Sequence, residues 1–305
     1  MLDNHPTLAV SKDPHFIVFA IRRAREGLDP PVTPALVDRL LGYRTFARLD
    51  LPESVVRAAA AETSVFSEFV SALYTAYGEK HGKPLAGEKT PKYVRYLPLL
   101  HSLFPWARTI HLIRDGRDVA LSMLDWAHAE RGPGRHRLWG EEPVAVCALS
   151  WLSHVTAGRR DGVKLGGDHY LEIRYEGLIS DTEPTLAQIA SFLELPFARE
   201  MLEYHRGKTR SEPGLSTKAA WLPPTAGLRD WRAQMPPRDL ELYEAIAGNV
   251  LSLFGYERAF DTISSDVEER AARLREEWEA GVMEQPDKFA TRPDLSTPPP
   301  LVEAQ

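Results

Sequence analysis

Two guanidinium groups stand beside two carboxylates in the segment 114–118 (RDGRD), which follows a short apolar stretch and opens a helical pattern. Asp115 is placed to cap the start of that helix. Ser122 lies seven residues after Asp115, on the same face of the helix. An anion such as a phosphate monoester could be bound by the start of this helix, the guanidinium of Arg114 and the Ser122 hydroxyl. The alternative is that Arg114 and Arg117 only neutralise the two aspartates.

Two further segments carry a lysine, an acid and an imidazole. Lys89 lies in the segment 87–92 (GEKTPK), at the predicted mouth of a strand, where its ammonium could hold a charged group or could simply be solvated. Asp13 and His15 follow the apolar run 8–10. A carboxylate and an imidazole two residues apart could serve as a general base.

Several motifs that would indicate other chemistry do not occur in the sequence: G-x-x-x-x-G-K-[ST], G-x-G-x-x-G, G-x-S-x-G and H-E-x-x-H. The 10 histidines do not cluster at metal-ligand spacing, so no metal site is expected. The single cysteine, Cys147, excludes an intramolecular disulfide. The net charge of −6 argues against a protein that coats nucleic acid, and no nucleic-acid partner is expected.

The elements that must position these residues are two buried strands among helices. The segments 108–113 and 169–175 are short and rich in β-branched or aromatic residues, which is typical of strands. Helical patterns surround them at 53–81, 94–104, 119–128, 143–158 and 184–193. Strands separated by helices predict a mostly parallel sheet with crossover helices. Because ligands in such folds bind at the carboxyl ends of strands, Arg114 and Tyr175 are candidate binding residues.

The chain contains no run of about 20 apolar residues and does not begin like a signal peptide, so a cytoplasmic protein without a membrane span is expected. Residues 1–262 are predicted to form one domain. Residues 263–284 are predicted to form a charged, partly amphipathic helix, which either packs on the domain or a partner or is solvated. The proline-rich residues 285–305 read as an extended tail. The oligomeric state is left open.

Taken in order, several segments resemble the family of sulfotransferases that use 3′-phosphoadenosine 5′-phosphosulfate (PAPS), in its bacterial and tyrosylprotein-like branch. The resemblance covers the chain up to about residue 257. It implies an α/β fold with a parallel sheet flanked by helices, of the P-loop nucleotide-binding type. The segments that carry it are 88–91 (EKTP), 104–108 (FPWAR), 110–122 (IHLIRDGRDVALS), 174–178 (RYEGL), 189–197 (IASFLELPF) and the stretch from Asp230-Trp231 to Gly255-Tyr256.

The resemblance also implies nucleotide-binding roles for five residues. Arg114 and Ser122 match the ligands of the 3′-phosphate, and Tyr175 matches a tyrosine that contacts the nucleotide. Ser216 resembles a late serine that contacts phosphate. Asp230 stands where a basic residue usually precedes the tryptophan, so Arg229 is the substitute for that basic contact.

The catalytic roles are implied by the same resemblance. Lys89 matches the lysine that neutralises the sulfuryl group in the transition state. Asp13 falls where the tyrosylprotein branch has a catalytic glutamate, and His15 is the alternative base. The implied reaction transfers a sulfuryl group from PAPS to an acceptor hydroxyl on a small molecule, lipid, carbohydrate or peptide, with no metal.

One departure from the family pattern concerns the beginning of the chain. The family opens with a strand and a phosphosulfate-binding loop resembling Pro-Arg-Ser-Gly-Thr-Thr, and Met1-Leu2-Asp3-Asn4 resembles the family's segment directly after that loop. The fold is therefore expected to lack its first strand and phosphate loop in this chain. We expect that the start is assigned too far downstream and that the reading frame continues upstream into that loop. The alternatives are a truncated, catalytically impaired relative that only binds adenosine 3′,5′-bisphosphate, or a nucleotide or small-molecule kinase of related fold.

Overall fold

The structure, a computed structural model, describes residues 1–23, 27–125, 137–206, 227–284, 289–291, 295 and 299–300. The chain forms two compact units. The first unit contains residues 1–107 and 182–223, and the second contains residues 108–181 and 224–305.

The strands and helices alternate along the chain. The strands are β1 (Leu8–Lys12), β2 (Leu85–Lys89), β3 (Thr109–Ile113) and β4 (Tyr170–Arg174). The helices are α1 (Phe16–Arg23), α2 (Pro34–Leu41), α3 (Glu53–Ala61), α4 (Phe66–Lys80), α5 (Leu97–Leu103), α6 (Gly116–Leu124), α7 (Pro143–Leu165), α8 (Tyr175–Ser180), α9 (Thr182–Phe192), α10 (Trp231–Gln234), α11 (Pro237–Leu253) and α12 (Ser265–Glu284).

In the first unit, β1 and β2 form a two-stranded parallel sheet in which Leu8 pairs with Leu85 and Lys12 with Lys89. Alternate residues of β1, Ala9 and Ser11, are buried, as the two-residue period of a strand requires. Helix α4 packs against β2 and α3. The buried aromatic rings of α1 and α4 contribute much of the apolar core of this unit: Phe16, Phe66 and Phe69.

In the second unit, β3 and β4 form another parallel pair, with Thr109 opposite Tyr170 and Ile113 opposite Arg174. Helix α7 is buried along most of its length and packs against α6, α11 and α12. The apolar core of this unit lies among these helices, and it includes Leu274 and Trp278 of α12. The helix predicted over 263–284 therefore packs on its own unit and is not a solvated surface helix.

The α/β class with parallel strands flanked by helices is confirmed, and the two predicted strands lie within one residue of their predicted ends. Two of the predicted helices differ from the helices of the structure. The pattern 53–81 forms α3 and α4 with a break between them, where Glu68 accepts a hydrogen bond from the Ser64 N–H at 3.0 Å. The pattern 94–104 begins as a 3-10 turn and becomes α5 only at Leu97.

Two other expectations concern the chain ends and the membrane. Near the first residue, the chain forms a single 3-10 turn at Leu2–Asn4. Most of the predicted tail 285–305 lies outside the described residues, and its boundary stays a prediction. In the part of the chain that the structure describes, no helix is long and apolar enough to cross a membrane.

Candidate functional site

The first cluster of polar residues lies at the carboxyl ends of β1 and β2. Because the two strands are parallel and in register, Asp13 follows β1 beside Lys89, the last residue of β2, and its N–H donates to the Lys89 carbonyl at 2.8 Å. The Lys89 Nζ donates to Asp13 Oδ2 at 2.7 Å. His15 Nε2 lies 3.8 Å from Asp13 Oδ1. The structure thus brings together the three residues proposed for catalysis.

The backbone that carries this cluster is strained. Asp13 has a φ of 52° and His15 a φ of 54°, so both lie in the left-handed region that costs a residue with a Cβ about 1–2 kcal/mol. Two neighbouring side chains hold the loop in place. Arg48 Nη1 donates to the Asp13 carbonyl at 2.7 Å, and Thr45 Oγ1 donates to the Pro14 carbonyl at 2.7 Å. Strain of this kind persists where surrounding contacts over-determine a conformation, and it is common at active sites.

The electrostatics of this cluster suit proton transfer beside a fixed positive charge. The Asp13 side chain is 16% exposed, whereas that of Lys89 is 56% exposed, so the ammonium reaches solvent while it pairs with the carboxylate. Burial lowers the pKa of His15 below its usual 6.5, although Asp13 opposes the shift. His15 is therefore neutral at pH 7 and has a free ring lone pair that can accept a proton.

The second cluster lies at the carboxyl ends of β3 and β4. Arg114 follows β3 directly, and its guanidinium lies 4.7 Å from the centre of the Tyr175 ring, which follows β4. Arg114 Nη2 donates to Asp118 Oδ2 at 3.2 Å. Its Nε is buried and has no hydrogen-bond partner among the described residues. An unpaired buried N–H on a guanidinium fits an anionic ligand, such as a phosphate group of a nucleotide.

Helix α6 begins beside Arg114 with the predicted cap. Asp115 Oδ1 accepts a hydrogen bond from the Arg117 N–H at 3.0 Å. Gly116 is required at the first position, because a Cβ there would collide with the Tyr243 hydroxyl and the Trp151 ring. Ser122 lies further along the same helix and is half-buried.

Arg117 is a structural residue. Its side chain is fully buried, and its Nε and Nη2 donate to the Asp115 carboxylate at 3.0 and 2.8 Å. Its Nη1 donates to Glu244 Oε1 of α11 at 2.6 Å, and its guanidinium stacks 3.6 Å from the Trp231 ring. Arg117 therefore neutralises Asp115, whereas Arg114 pairs with Asp118 and keeps a buried donor unpaired.

Arg229 is held at the end of α6. Its Nη1 donates to the Leu121 carbonyl at 2.7 Å and to Asp125 Oδ2 at 2.6 Å. It also lines a cleft of about 440 Å³ in the second unit, together with Asp118, Arg174 and Trp231. Ser216 lies outside the described residues, so the late serine predicted for the phosphate stays a prediction.

One residue of the first cluster escaped the sequence-based assignment. Glu88 precedes Lys89 in β2, and its carboxylate accepts hydrogen bonds from the hydroxyls of Tyr74 and Thr90. Side chains alternate between the two faces of a strand, so Glu88 lies on the face opposite Lys89. This alternation is the feature of the sequence from which its position could have been predicted. Within the described ranges, no group of three or more His, Cys, Asp or Glu side chains could hold a metal ion.

A parallel α/β fold with basic side chains at the ends of its strands is typical of proteins that bind anionic nucleotides. The model of the sulfotransferase family matches residues 1–199, which is 199 of 305 residues. The chain belongs to the sulfotransferase family.

The proteins to which this chain is similar include the following two relatives and a solved structure. A Caenorhabditis briggsae protein named "Putative protein-tyrosine sulfotransferase" is 29% identical over 143 residues, 46% of this chain and 49% of that protein. Nodulation protein NoeE of Sinorhizobium fredii is 26% identical over 247 residues, 72% of this chain and 58% of NoeE. The chain thus spans about half the length of these relatives. The sulfotransferase domain of the Synechococcus PCC 7002 olefin synthase superposes with a TM-score of 0.48 at 18% identity, covering 83% of this chain and 95% of that one.

Proposed function

We propose that the protein transfers the sulfuryl group of PAPS to an acceptor hydroxyl and releases adenosine 3′,5′-bisphosphate. The observation that carries the proposal is the Asp13–Lys89 pair, with Nζ and Oδ2 2.7 Å apart, on a strained loop beside a neutral imidazole. Membership of the sulfotransferase family supports the reaction class. A cytoplasmic location belongs to the same proposal.

The transfer assigns one task to each residue. The bond between sulfur and the phosphate oxygen of PAPS breaks, and a bond between sulfur and the acceptor oxygen forms. Asp13 accepts the proton of the acceptor hydroxyl, with His15 as the alternative base. The Lys89 ammonium stabilises the negative charge that spreads over the transferring group and the leaving phosphate oxygen.

The second cluster is assigned to the nucleotide. Arg114 supplies a guanidinium with an unpaired buried N–H for the 3′-phosphate, and Tyr175 stacks on that guanidinium and contacts the nucleotide. Ser122 and Ser216 are proposed as further phosphate ligands. Arg229 is already held by the Leu121 carbonyl and Asp125, so its proposed contribution is the positive charge it adds to the cleft.

Lys89→Ala tests the proposal directly. With radiolabelled PAPS and a panel of phenol, sugar, alkyl alcohol and tyrosyl-peptide acceptors, the variant should lose at least about a hundredfold in kcat, because it lacks a donor aimed at developing charge. Its affinity for adenosine 3′,5′-bisphosphate should stay within about twofold. Lys80→Ala, at the end of α4 where Lys80 pairs with Asp50, is the matched control and should keep full activity.

The same acceptors, tested with PAPS and with ATP alongside a binding measurement, separate the alternative functions. Binding of the bisphosphate without transfer to any acceptor would identify a binding protein, and transfer from ATP would identify a kinase. Asp13→Asn and His15→Gln then decide the base. We expect the Asp13 variant to lose the larger part of kcat, and a larger loss for the His15 variant would assign the proton to the imidazole.

A further inference from the structure

The peptide bond that joins Arg114 to Asp115 is held by side chains that are distant in sequence. Its carbonyl, that of Arg114, accepts a hydrogen bond from the indole N–H of Trp151 in α7 at 3.0 Å. Its N–H, that of Asp115, donates to Glu176 Oε1 in α8 at 2.9 Å. Because a peptide group is planar, one hydrogen bond at its carbonyl and one at its N–H fix the orientation of the plane. The backbone from which the Arg114 side chain extends is therefore held on both sides.

The carboxylate of Glu176 is itself held by a second element. Its Oε2 accepts a hydrogen bond from the Tyr256 hydroxyl, in the turn after α11, at 3.0 Å. Burial raises the pKa of Tyr256 well above its usual value of 10, so this hydroxyl stays a protonated donor. All of these residues lie in the second unit. Glu176 thus joins the Arg114 peptide to the end of α11.

The other end of Arg114 is held less firmly than its backbone. The guanidinium has one hydrogen bond, from Nη2 to Asp118 Oδ2 at 3.2 Å, and it lies 4.7 Å from the centre of the Tyr175 ring. The buried Nε–H has no partner among the described residues. A donor that must meet a ligand has to be held within about 0.5 Å of its position by the groups around it. For Arg114, much of that restraint comes from the backbone.

We propose that Glu176 is a positioning residue, whose carboxylate fixes the Arg114 peptide and thereby aims the unpaired Nε–H of Arg114 at the 3′-phosphate. The identity of the ligand rests on the proposed function. A carboxylate repels a phosphate, so Glu176 acts through the Arg114 peptide and not as a ligand.

Neutralisation of Arg174 does not explain the position of Glu176. Arg174 Nε lies 3.9 Å from Glu176 Oε2, which is longer than a hydrogen bond. The two side chains are 47% and 37% exposed, and an ion pair as exposed as this contributes little to stability. The two short hydrogen bonds, from the Asp115 N–H and the Tyr256 hydroxyl, are therefore the contacts that orient the carboxylate.

Replacing Glu176 tests the proposal through the affinity for adenosine 3′,5′-bisphosphate, measured by calorimetric titration of the full chain. Glu176→Ala removes the acceptor of the Asp115 N–H, so the affinity should fall by at least about fivefold. Glu176→Gln keeps an oxygen for that N–H, and the Tyr256 hydroxyl can accept from its amide and donate to the Ile113 carbonyl, 3.4 Å away. Its affinity should therefore stay within about twofold of the wild type. A glutamine variant as weak as the alanine variant would overturn the proposal.

Two further proteins show whether the effect passes through Arg114. Glu269→Ala, at an exposed position on α12, is the matched control and should bind like the wild type. In an Arg114→Ala background, Glu176→Ala should weaken binding by less than about twofold more, because the group that it positions is gone. A further loss of about fivefold or more in that background would show that Glu176 supports the nucleotide by another route, and would overturn the proposal.

A third measurement needs no nucleotide. In NMR spectra of the isotope-labelled full chain, the Arg114 Nε–H resonance is identified by its absence from Arg114→Ala. It should keep its position in Glu176→Gln and shift or broaden in Glu176→Ala. Tyr256→Phe keeps the ring but removes the donor to Oε2, so it should cause a smaller change in the same resonance. An Arg114 resonance that stays unchanged in both Glu176→Ala and Tyr256→Phe would overturn the proposal. If the bisphosphate does not bind at all, the assignment of Arg114 to the 3′-phosphate fails, whereas this resonance still decides whether Glu176 orients Arg114.

Discussion

Replacing Arg114 with alanine tests the assignment of the second cluster to the 3′-phosphate. In the free protein the variant loses the 3.2 Å ion pair with Asp118 and the contact with the Tyr175 ring. A partly exposed ion pair of this kind contributes at most about 1 kcal/mol to stability. In the complex the variant loses hydrogen bonds to a charged group, each contributing about 1.5–3 kcal/mol. It also leaves the Asp118 carboxylate without the Arg114 guanidinium that pairs with it.

We therefore expect Arg114→Ala to weaken binding of adenosine 3′,5′-bisphosphate by about 2–3 kcal/mol, or roughly 30- to 150-fold in Kd. Calorimetric titration should show less than about a threefold loss for adenosine 5′-phosphate, which lacks the 3′-phosphate. Arg114→Lys keeps the positive charge but lacks the planar guanidinium, so its affinity for the bisphosphate should lie between those of the wild type and Arg114→Ala. Arg273→Ala, exposed on α12, should bind both nucleotides like the wild type. Equal losses for the two nucleotides in Arg114→Ala would place Arg114 away from the 3′-phosphate.

Three further predictions concern stability, each measured by guanidinium denaturation. Arg117→Met leaves the carboxylates of Asp115 and Glu244 buried without their shared cation, so the free energy of unfolding should fall by about 3–5 kcal/mol, and a loss below about 1 kcal/mol would contradict this. His15→Gly should be more stable than His15→Ala by about 1 kcal/mol, because only glycine adopts a φ of 54° without strain, and the reverse order would argue against the strained loop. The pKa of Glu88 is 4.5 in the unfolded chain and about 7 in the folded protein. Between these pH values the folded protein keeps a proton that the unfolded chain has released, so the stability of the wild type falls as the pH rises. The free energy of unfolding of Glu88→Gln should therefore rise relative to that of the wild type by up to about 3 kcal/mol between about pH 4 and pH 8. A difference between the two proteins that does not change with pH would show that folding does not shift the pKa of Glu88.

The strands and the residues at their ends could be predicted from the sequence because both depend on local pattern. The β-branched run before Arg114 and the alternating run before Tyr175 end within one residue of β3 and β4. Once the strands are parallel, their carboxyl ends lie at one edge, and the contact between the two side chains follows. The cap at Asp115 could be predicted for the same reason, since it depends only on the residues of one helical turn.

The features that could not be predicted depend on partners distant in sequence. The burial of Arg117 depends on Glu244, 127 residues further along the chain, and no local pattern distinguishes it from Arg114. The left-handed backbone at Asp13 depends on Arg48, whose side chain binds its carbonyl. Glu88 lies beside Lys89 in a motif whose lysine drew the assignment, and its contact with the distant Tyr74 hydroxyl becomes visible only when α4 is in place.

The two arginines of the RDGRD segment have different hydrogen-bond partners, although they lie three residues apart. Arg117 has a bonding partner for each of its three guanidinium nitrogens and stacks on Trp231, so a ligand there would have to displace existing bonds. Arg114 has one longer contact, to a carboxylate that also accepts the Trp231 N–H at 3.0 Å, and a buried Nε that finds no acceptor in the described chain. An unsatisfied buried donor costs about 1–3 kcal/mol. An anion that accepts a hydrogen bond from this donor would remove that cost, which would favour binding. This difference between two residues of one helix start is why we assign the proposed binding role to Arg114 and a structural role to Arg117.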